Sequence, residues 1–312
     1  MKEKHIFAGN NTASGFYSCF DYIFNPAELN HIYILKGGPG VGKSSFMKKF
    51  AAEMINKNLS VEYIHCSSDN ESLDGIIIPE FNIAFVDGTT PHATDPSIPG
   101  AVDEIVNLGS FLNGKELLKH KNQIIQINQT KTQLYKSAYR YLQAADIISE
   151  EINSLSGKFI NKKKFKEMCN EAVNKLFPNN VSLNKNSNIK KMFSEAYTAN
   201  GYINRTMDMY HDKRLWSVIG ENTNYTSELL KELADEAAKR GYAMELYLMP
   251  LNPAKLQHIY FPEINLFVAS AESCLSNGFE EVFDIHGITD TDNLKNHISE
   301  IENNLHLQEI LI

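Results

Sequence analysis

The sequence predicts an α/β protein: a parallel sheet flanked by helices in a three-layer sandwich, carrying a helical insertion and a second, degenerate copy of the same domain. Three observations carry that expectation. An apolar run, Ile32 to Leu35, gives way to a glycine loop and then to helical spacing. Two more segments rich in β-formers follow, Val61 to Cys66 and Phe81 to Asp87. Residues 214–271 then align with residues 31–88 without a gap.

The first thirty residues place His5-Ile6-Phe7 ahead of a polar turn, Gly9 to Gly15, and then the aromatics Phe16, Tyr17, Phe20 and Tyr22. Their spacing predicts a short helix or an irregular lead-in, with the rings packing in a core. In HIYILKGGPGVGKSSFMKKF (residues 31–50) a buried strand runs into Gly37, Gly38, Pro39, Gly40, Val41 and Gly42, and a helix starts at Lys43, Ser44 and Ser45. G-x-x-x-x-G-K-S between a strand and a helix is the phosphate-binding pattern. Its glycines let successive backbone N–H groups converge on an anion, and the helix start adds partial positive charge. Lys43 is positioned for the β- and γ-phosphates and the Ser44 hydroxyl for Mg²⁺. The predicted domain is therefore a P-loop NTPase sandwich that binds Mg·ATP.

After a helix to about Asn58 comes the strand Val61 to Cys66, then a polar loop, Ser67 to Gly75, and a short apolar piece, Ile76 to Ile78. The strand Phe81 to Asp87 ends in an acid, the form of a Walker B element, with Asp87 a second Mg²⁺ ligand. As a turn-capping residue Asp87 would need no such role. His65, Asp69, Glu71, Asp74 and His92 fall near strand ends, where ligands bind in open α/β sheets. Asp69 and His92 follow the strand ends most closely and are the candidates to orient water or accept a proton. The candidate catalytic set is thus Lys43, Asp87, Asp69 and His92.

From Pro99 the pattern turns helical, beginning over Ala101 to Leu112 and continuing from Lys115 to Leu155. Lys158, Lys162, Lys163, Lys164 and Lys166 make a basic cluster that reads as a solvated helix face. The expected domains are 1–100, the P-loop core; 101–187, a helical insertion and linker; and 188–312, the pseudo-repeat.

Within the aligned window about eleven residues are identical, among them Pro262, Glu263 and Asn265 under Pro79, Glu80 and Asn82. TANGY (198–202) also echoes TASGF (12–16), with the register shifted by three. The copy keeps the frame and loses the chemistry: Thr226 lies under Lys43, Tyr225 under Gly42 and Ser270 under Asp87. Ser227 survives under Ser44, but a hydroxyl alone does not hold Mg²⁺. One working site and one structural pseudo-site are expected.

HIFAGNNTASGFYS, ILKGGPGVGKSSFMKKF, VEYIHCSSDNESLDGIIIPE and VDGTTPHATDPSIPGAVDEIVNLG together resemble an uncharacterised family of bacterial tandem P-loop ATPase or ATP-binding proteins. The resemblance covers the first ~110 residues and, beyond them, only the decayed repeat. It implies nucleotide binding and no particular substrate. Members typically carry a recognisable second P-loop, and this chain departs from that at Thr226 and Ser270.

The net charge of −8 disfavours a general nucleic-acid partner. Cys19, Cys66, Cys169 and Cys274 form no C-x-x-C pair and read as free thiols of a reducing compartment. With no signal-peptide pattern and no membrane-length apolar run, a cytoplasmic protein without a membrane partner is expected. The leading function is an ATPase, with a homo-oligomer or an unknown protein as partner and Arg205 or Arg214 able to act in trans. A small-molecule or nucleotide kinase and a non-hydrolysing nucleotide sensor are the alternatives. No [NT]-K-x-D motif points to guanine.

Overall fold

The computed structural model describes residues 3–89, 95–178, 182–183, 186–210, 212–270 and 278–312. In chain order the strands are β1 (Glu3–Phe7), β2 (Gly9–Thr12), β3 (Gly15–Ser18), β4 (His31–Lys36), β5 (Val61–His65), β6 (Leu73–Ile78), β7 (Ile83–Asp87), β8 (Asp103–Asn107), β9 (Ile189–Met192), β10 (Glu195–Thr198), β11 (Gly201–Asn204), β12 (Arg214–Ile219), β13 (Met244–Leu248), β14 (Leu256–Phe261), β15 (Leu266–Ser270) and β16 (Glu281–Asp284). The helices are α1 (Phe20–Ile23), α2 (Lys43–Asn56), α3 (Gly114–Lys119), α4 (Lys121–Gly157), α5 (Lys162–Leu176), α6 (Thr223–Lys239), α7 (Thr291–Leu294) and α8 (Ile298–Leu311). The chain folds as two compact units, Met1–Arg140 with Phe193–Met209, and Tyr141–Met192 with Tyr210–Ile312.

The first unit is built on a six-stranded sheet in the order β1-β5-β6-β7-β4-β8. β4 lies between β7 and β8 and is parallel to both, with Leu35 opposite Asp87. The sheet is mixed, not parallel as expected, because β6 runs antiparallel to both β5 and β7. Chain length explains the correction. Segments 66–72 and 79–82 are of hairpin length, whereas a parallel crossover needs roughly a dozen residues. α2 covers one face, burying Met47, Ala51 and Met54 against Leu35, Val61, Leu73, Ile76 and Phe85. Full burial of each large side chain contributes about 1.5–3 kcal/mol.

Two further expectations are corrected in this unit. The short helix expected in the lead-in is the single turn α1, but the residues before Cys19 make the hairpin β2–β3. Thr12 Oγ1 donates to Gly15 O at 2.7 Å and accepts from Ser14 N at 3.1 Å, closing the hairpin around Gly15 at φ 96°. Residues 103–107 are an edge strand and Leu108–Phe111 a 3₁₀ turn, in place of the helix expected over 101–112. The open edge of β4 supplies backbone partners there, and Asp103 is buried, accepting from Ser97 N and Ile98 N at 2.7 and 2.6 Å. Tertiary pairing outweighs the local spacing.

The second unit repeats the first. Its sheet reads β9-β13-β14-β15-β12-β16, with the same parallel and antiparallel pairs at each equivalent position. The ungapped alignment holds down to single hydrogen bonds. Ser44 Oγ accepts from Leu73 N at 3.1 Å, and Ser227 Oγ from Leu256 N at 2.8 Å. Glu80 Oε1 accepts from Ser60 N at 2.7 Å, and Glu263 Oε1 from Ala243 N at 3.0 Å. Asn82 and Asn265 both take the left-handed conformation, at φ 51° and 48°. The shifted echo is also real: Thr198 Oγ1 donates to Gly201 O at 2.8 Å and accepts from Asn200 N at 3.1 Å.

That second hairpin, β10–β11, belongs to the later repeat by sequence but folds within the first unit. Asn10 Nδ2 donates to Glu195 O and Asn11 Nδ2 to Tyr197 O, both at 2.9 Å. Phe7 and Phe193, both fully buried, exchange backbone hydrogen bonds of 2.9 and 3.0 Å. On α5, Lys162, Lys163, Lys164 and Lys166 are exposed while Phe165 is buried.

Ser227 and Leu256 are both buried, so Ser227→Ala leaves the Leu256 amide without its acceptor. The substitution is expected to lower the unfolding free energy by about 1–3 kcal/mol, read from the urea midpoint at unchanged m-value. A change within error would show that the repeated serine does not clamp β14.

Candidate functional site

The glycine segment of the first unit forms an open loop between β4 and α2. Gly40 and Gly42 sit at φ 81° and 95°, where a side chain would be strained, and Gly42 is the N-cap of α2. Gly42 has no side chain with which to cap this helix. The orphan N–H groups of its first turn therefore face the loop.

Lys43 is almost buried, and its Nζ folds back to donate to Gly37 O at 2.8 Å and Gly38 O at 3.2 Å. It also pairs with Asp87 Oδ2 at 3.5 Å, across the adjacent strands β4 and β7. The two charged residues singled out from separate sequence segments thus meet at one point. Asp87 Oδ1 accepts from Thr89 N at 2.9 Å and Thr89 Oγ1 at 2.6 Å, so this carboxylate caps its turn and faces the lysine at once. Ser44 lies one residue into the helix with its hydroxyl tied to the head of β6, while Ser45, Pro39 and Gly40 are exposed. Gly37, Gly38, Val41 and Gly42 are half-buried. A second lysine, Lys36, ends β4 and donates to Gly88 O and Asp95 Oδ1, both at 2.9 Å. Lys36 and Thr89 belong to no motif of their own; position beside the glycine loop and beside Asp87 is the signal that finds them.

No protein-family model, curated protein or solved structure matches the chain.

The remaining candidates lie elsewhere around the strand ends. Asp69 accepts from Glu71 N at 3.2 Å and Ser72 Oγ at 2.7 Å, closing its own exposed loop. Asp74 is buried within β6, and His92 lies outside the described residues. His65 is buried, facing His5 Nδ1 at 2.9 Å through Nε2 and Asn70 O at 3.2 Å through Nδ1. Burial, and next the Arg205 guanidinium, push His65 down to about 3, and the same two causes lower His5. Cys66 is pushed up to about 12, by burial and then by Asp74, which makes it an inert thiol. Arg205 stacks over the Phe7 ring at 6.0 Å within the first unit, and Arg214 is locked on Glu280 of the second by contacts of 2.7–3.0 Å. Among the described residues no group of three or more His, Cys, Asp or Glu side chains forms a metal cluster. None of the described helices is long and apolar enough to cross a membrane.

The equivalent point of the second unit is filled by protein. α6 starts at Thr223, three residues ahead of the counterpart of Lys43, so helix replaces the last half of the loop. Its N-cap Asn222 accepts from Asn224 N at 3.2 Å and Tyr225 N at 3.3 Å, and Asn222 O accepts from Thr226 N at 3.1 Å. Asn153 Oδ1, on α4, accepts the remaining first-turn amide, Thr223 N, at 2.8 Å. Asn222 Nδ2 returns a bond to Asn153 O and another to Ser156 Oγ, each 2.8 Å long. Lys255 pairs with Glu150 and donates to Thr223 Oγ1, and Phe165 packs edge-on against Tyr225 at 4.7 Å. Every orphan donor of α6 is satisfied from within.

The lowered His65 value makes stability depend on pH. Between its ordinary value of 6.5 and about 3 the unfolded chain binds a proton that the folded chain refuses. Stability is therefore full above pH 6.5 and falls as pH drops through that window, by up to about 1.4 kcal/mol per unit. Urea unfolding from pH 7.5 to 5 should show a steeper loss in wild type than in His65→Gln. Parallel curves would mean that the His5–His65 pair titrates normally.

Proposed function

We propose that this chain is a Mg·ATP-binding P-loop ATPase with one working site, in the first unit, and a nucleotide-incompetent second copy. One observation carries the reading: Lys43 and Asp87 converge beside an uncapped helix start behind a glycine loop, while the equivalent helix start is plugged by Asn222 and Asn153. The same contrast supports a P-loop NTPase fold and membership of the tandem family that the sequence resembles.

In this reading the backbone N–H groups between Gly38 and Ser45, other than at Pro39, cradle the β- and γ-phosphates at the positive end of α2. Lys43 exchanges the neutral Gly37 and Gly38 carbonyl acceptors for anionic phosphate oxygens, so that donor and acceptor are then both charged. Ser44 and Asp87 have the donor set for Mg²⁺, which keeps water and phosphate oxygens as its other ligands. Ser44 Oγ accepts one hydrogen bond from Leu73 N, which leaves its second lone pair for a metal. When bound, the ion supplies charge neutralisation on the transferred phosphoryl group. Thr89 holds the Asp87 carboxylate in its orientation toward the site.

A second reading, a nucleotide sensor without meaningful turnover, is favoured by Asp69. Its carboxylate is spent on its own loop and offers no base for water.

Lys43→Ala and Asp87→Ala are the informative variants. Mg²⁺-dependent phosphate release from ATP is expected in wild type and lost in both, and Lys43→Ala should weaken ATP binding at least about tenfold. ATP binding without phosphate release selects the sensor. ATP affinity unchanged in Lys43→Ala would overturn both readings.

A further inference from the structure

The second unit seats a helix in a groove that the first unit leaves open. α5 lies beside α6, on the side of the edge strand β16. Phe165 meets the Tyr225 ring edge-on at 4.7 Å, and Phe177, just past the end of α5, meets Tyr242 at 5.1 Å. The two helices therefore run in the same direction. Lys175 reaches the β16 wall, pairing with Glu281 at 2.6 Å and lying over the Phe283 ring. Phe165, Cys169, Ala172 and Leu176 form the buried stripe of α5. On the walls of the groove Leu229, Leu233, Trp216 and Phe283 are all buried.

The repeat puts other residues on the same walls. Phe46 and Phe50 stand for Leu229 and Leu233, and Tyr33 for Trp216. Val106, opposite Leu35, stands for Phe283, opposite Val218. Here the walls meet water: Phe46 is 42% exposed, and Phe50, Tyr33 and Val106 are half-buried. Phe46, Phe50 and Tyr33 gather on the Phe85 ring at 4.7–5.5 Å. Phe81 replaces Ile264, which lines the cavity beside the end of α5, and is 49% exposed. Aromatic side chains exposed together mark a protein interface. The copy shows what fits there, a helix.

We propose that the groove between α2 and β8 binds an amphipathic helix of a protein partner, lying parallel to α2 as α5 lies on α6. The charges of its walls define that helix. Glu232 and Glu228 of α6, with Lys166 of α5, lie within electrostatic reach of the Cys169 thiol, so a lysine answers acids there. Under Glu232 and Glu228 stand Lys49 and Ser45, and the α2 wall is basic where the α6 wall is acidic. The strand wall keeps its sign: Glu104 stands opposite Tyr33 as Glu281 stands opposite Trp216. The partner helix therefore carries acids in its first half, against Lys49, and a lysine or arginine in its last turn for Glu104. That polarity agrees with the helix dipole. Its apolar anchors recur at i, i+4, i+7 and i+11, the spacing of the α5 stripe.

Fluorescence anisotropy of labelled peptides titrated with the full chain tests this. One peptide has the sequence of residues 161–178; the other carries Lys162→Glu and Lys166→Glu. The changed peptide should bind wild type with a dissociation constant on the order of 10 µM. The unaltered one should bind at least about fivefold more weakly. Lys49→Glu, at an exposed position, should reverse that order, and Phe46→Ser should weaken both peptides at least about tenfold with unchanged far-ultraviolet circular dichroism. Binding of neither peptide overturns the proposal, as does an order that Lys49→Glu leaves unchanged or binding that survives Phe46→Ser. A wild-type dimer in sedimentation equilibrium that Phe46→Ser dissociates also overturns it, since the groove then belongs to a second copy.

Discussion

An α-helix that begins at the end of a buried strand must find acceptors for the N–H groups of its first turn. In this chain that requirement is met twice in opposite ways, and the difference organises the molecule. In the second unit Asn222 and Asn153 take those amides, with Thr226 returned to its own N-cap, so the helix start is closed. In the first, Gly42 occupies the cap position and has no side chain to offer. Lys43 turns back onto the loop carbonyls beside Asp87. First-turn amides behind a glycine cap and a lysine beside them suit a ligand with oxygen acceptors, which is why the glycine loop and not its copy is the proposed phosphate site.

The repeat shows which parts of that motif are frame and which are chemistry. The serine is kept in both copies because its oxygen pins the first amide of the antiparallel strand, Leu73 in one and Leu256 in the other. The glutamate after the proline is kept because it binds the amide that precedes the β5 or β13 strand, and the asparagine because the tight turn holds a left-handed residue. The lysine and the strand-ending aspartate, whose contacts stay with the glycine loop, with each other and with the turn at Thr89, are replaced by Thr226 and Ser270. Thr226 is buried and donates to Thr223 O, a local helix contact in place of a charge. Loss of the lysine and tightening of the loop into helix go together, since α6 gains a turn where α2 has glycines.

Much of this was legible in residue order. The strand–loop–helix of residues 31–56, the strand ending at Asp87, the long helix and the ungapped repeat all have local signals, in glycine spacing and apolar periodicity. The direction of β6 has its signal not in its own residues but in the short connections on both sides of it, which dictate an antiparallel strand. Residues 103–107 have no strand signal of their own; they pair because β4 has a free edge. The hairpin of residues 9–18 was masked by aromatics at helical spacing, and its Thr–Gly turn becomes obvious only beside its copy at 198–201. The plug from Asn153 could not be foreseen, because nothing in a helical asparagine tells which amide, 70 residues away in sequence, its side chain will meet.

In the proposed function one helix start takes a nucleotide and its copy does not. The most direct measurement is the stoichiometry of Mg·ATP binding to the purified chain by titration calorimetry, with Asn153→Ala alongside wild type. One ATP per chain in wild type is the predicted result. Two per chain, or one that persists when the loop from Gly37 to Gly42 is made rigid by Gly40→Val and Gly42→Val, would place the nucleotide elsewhere and contradict the account.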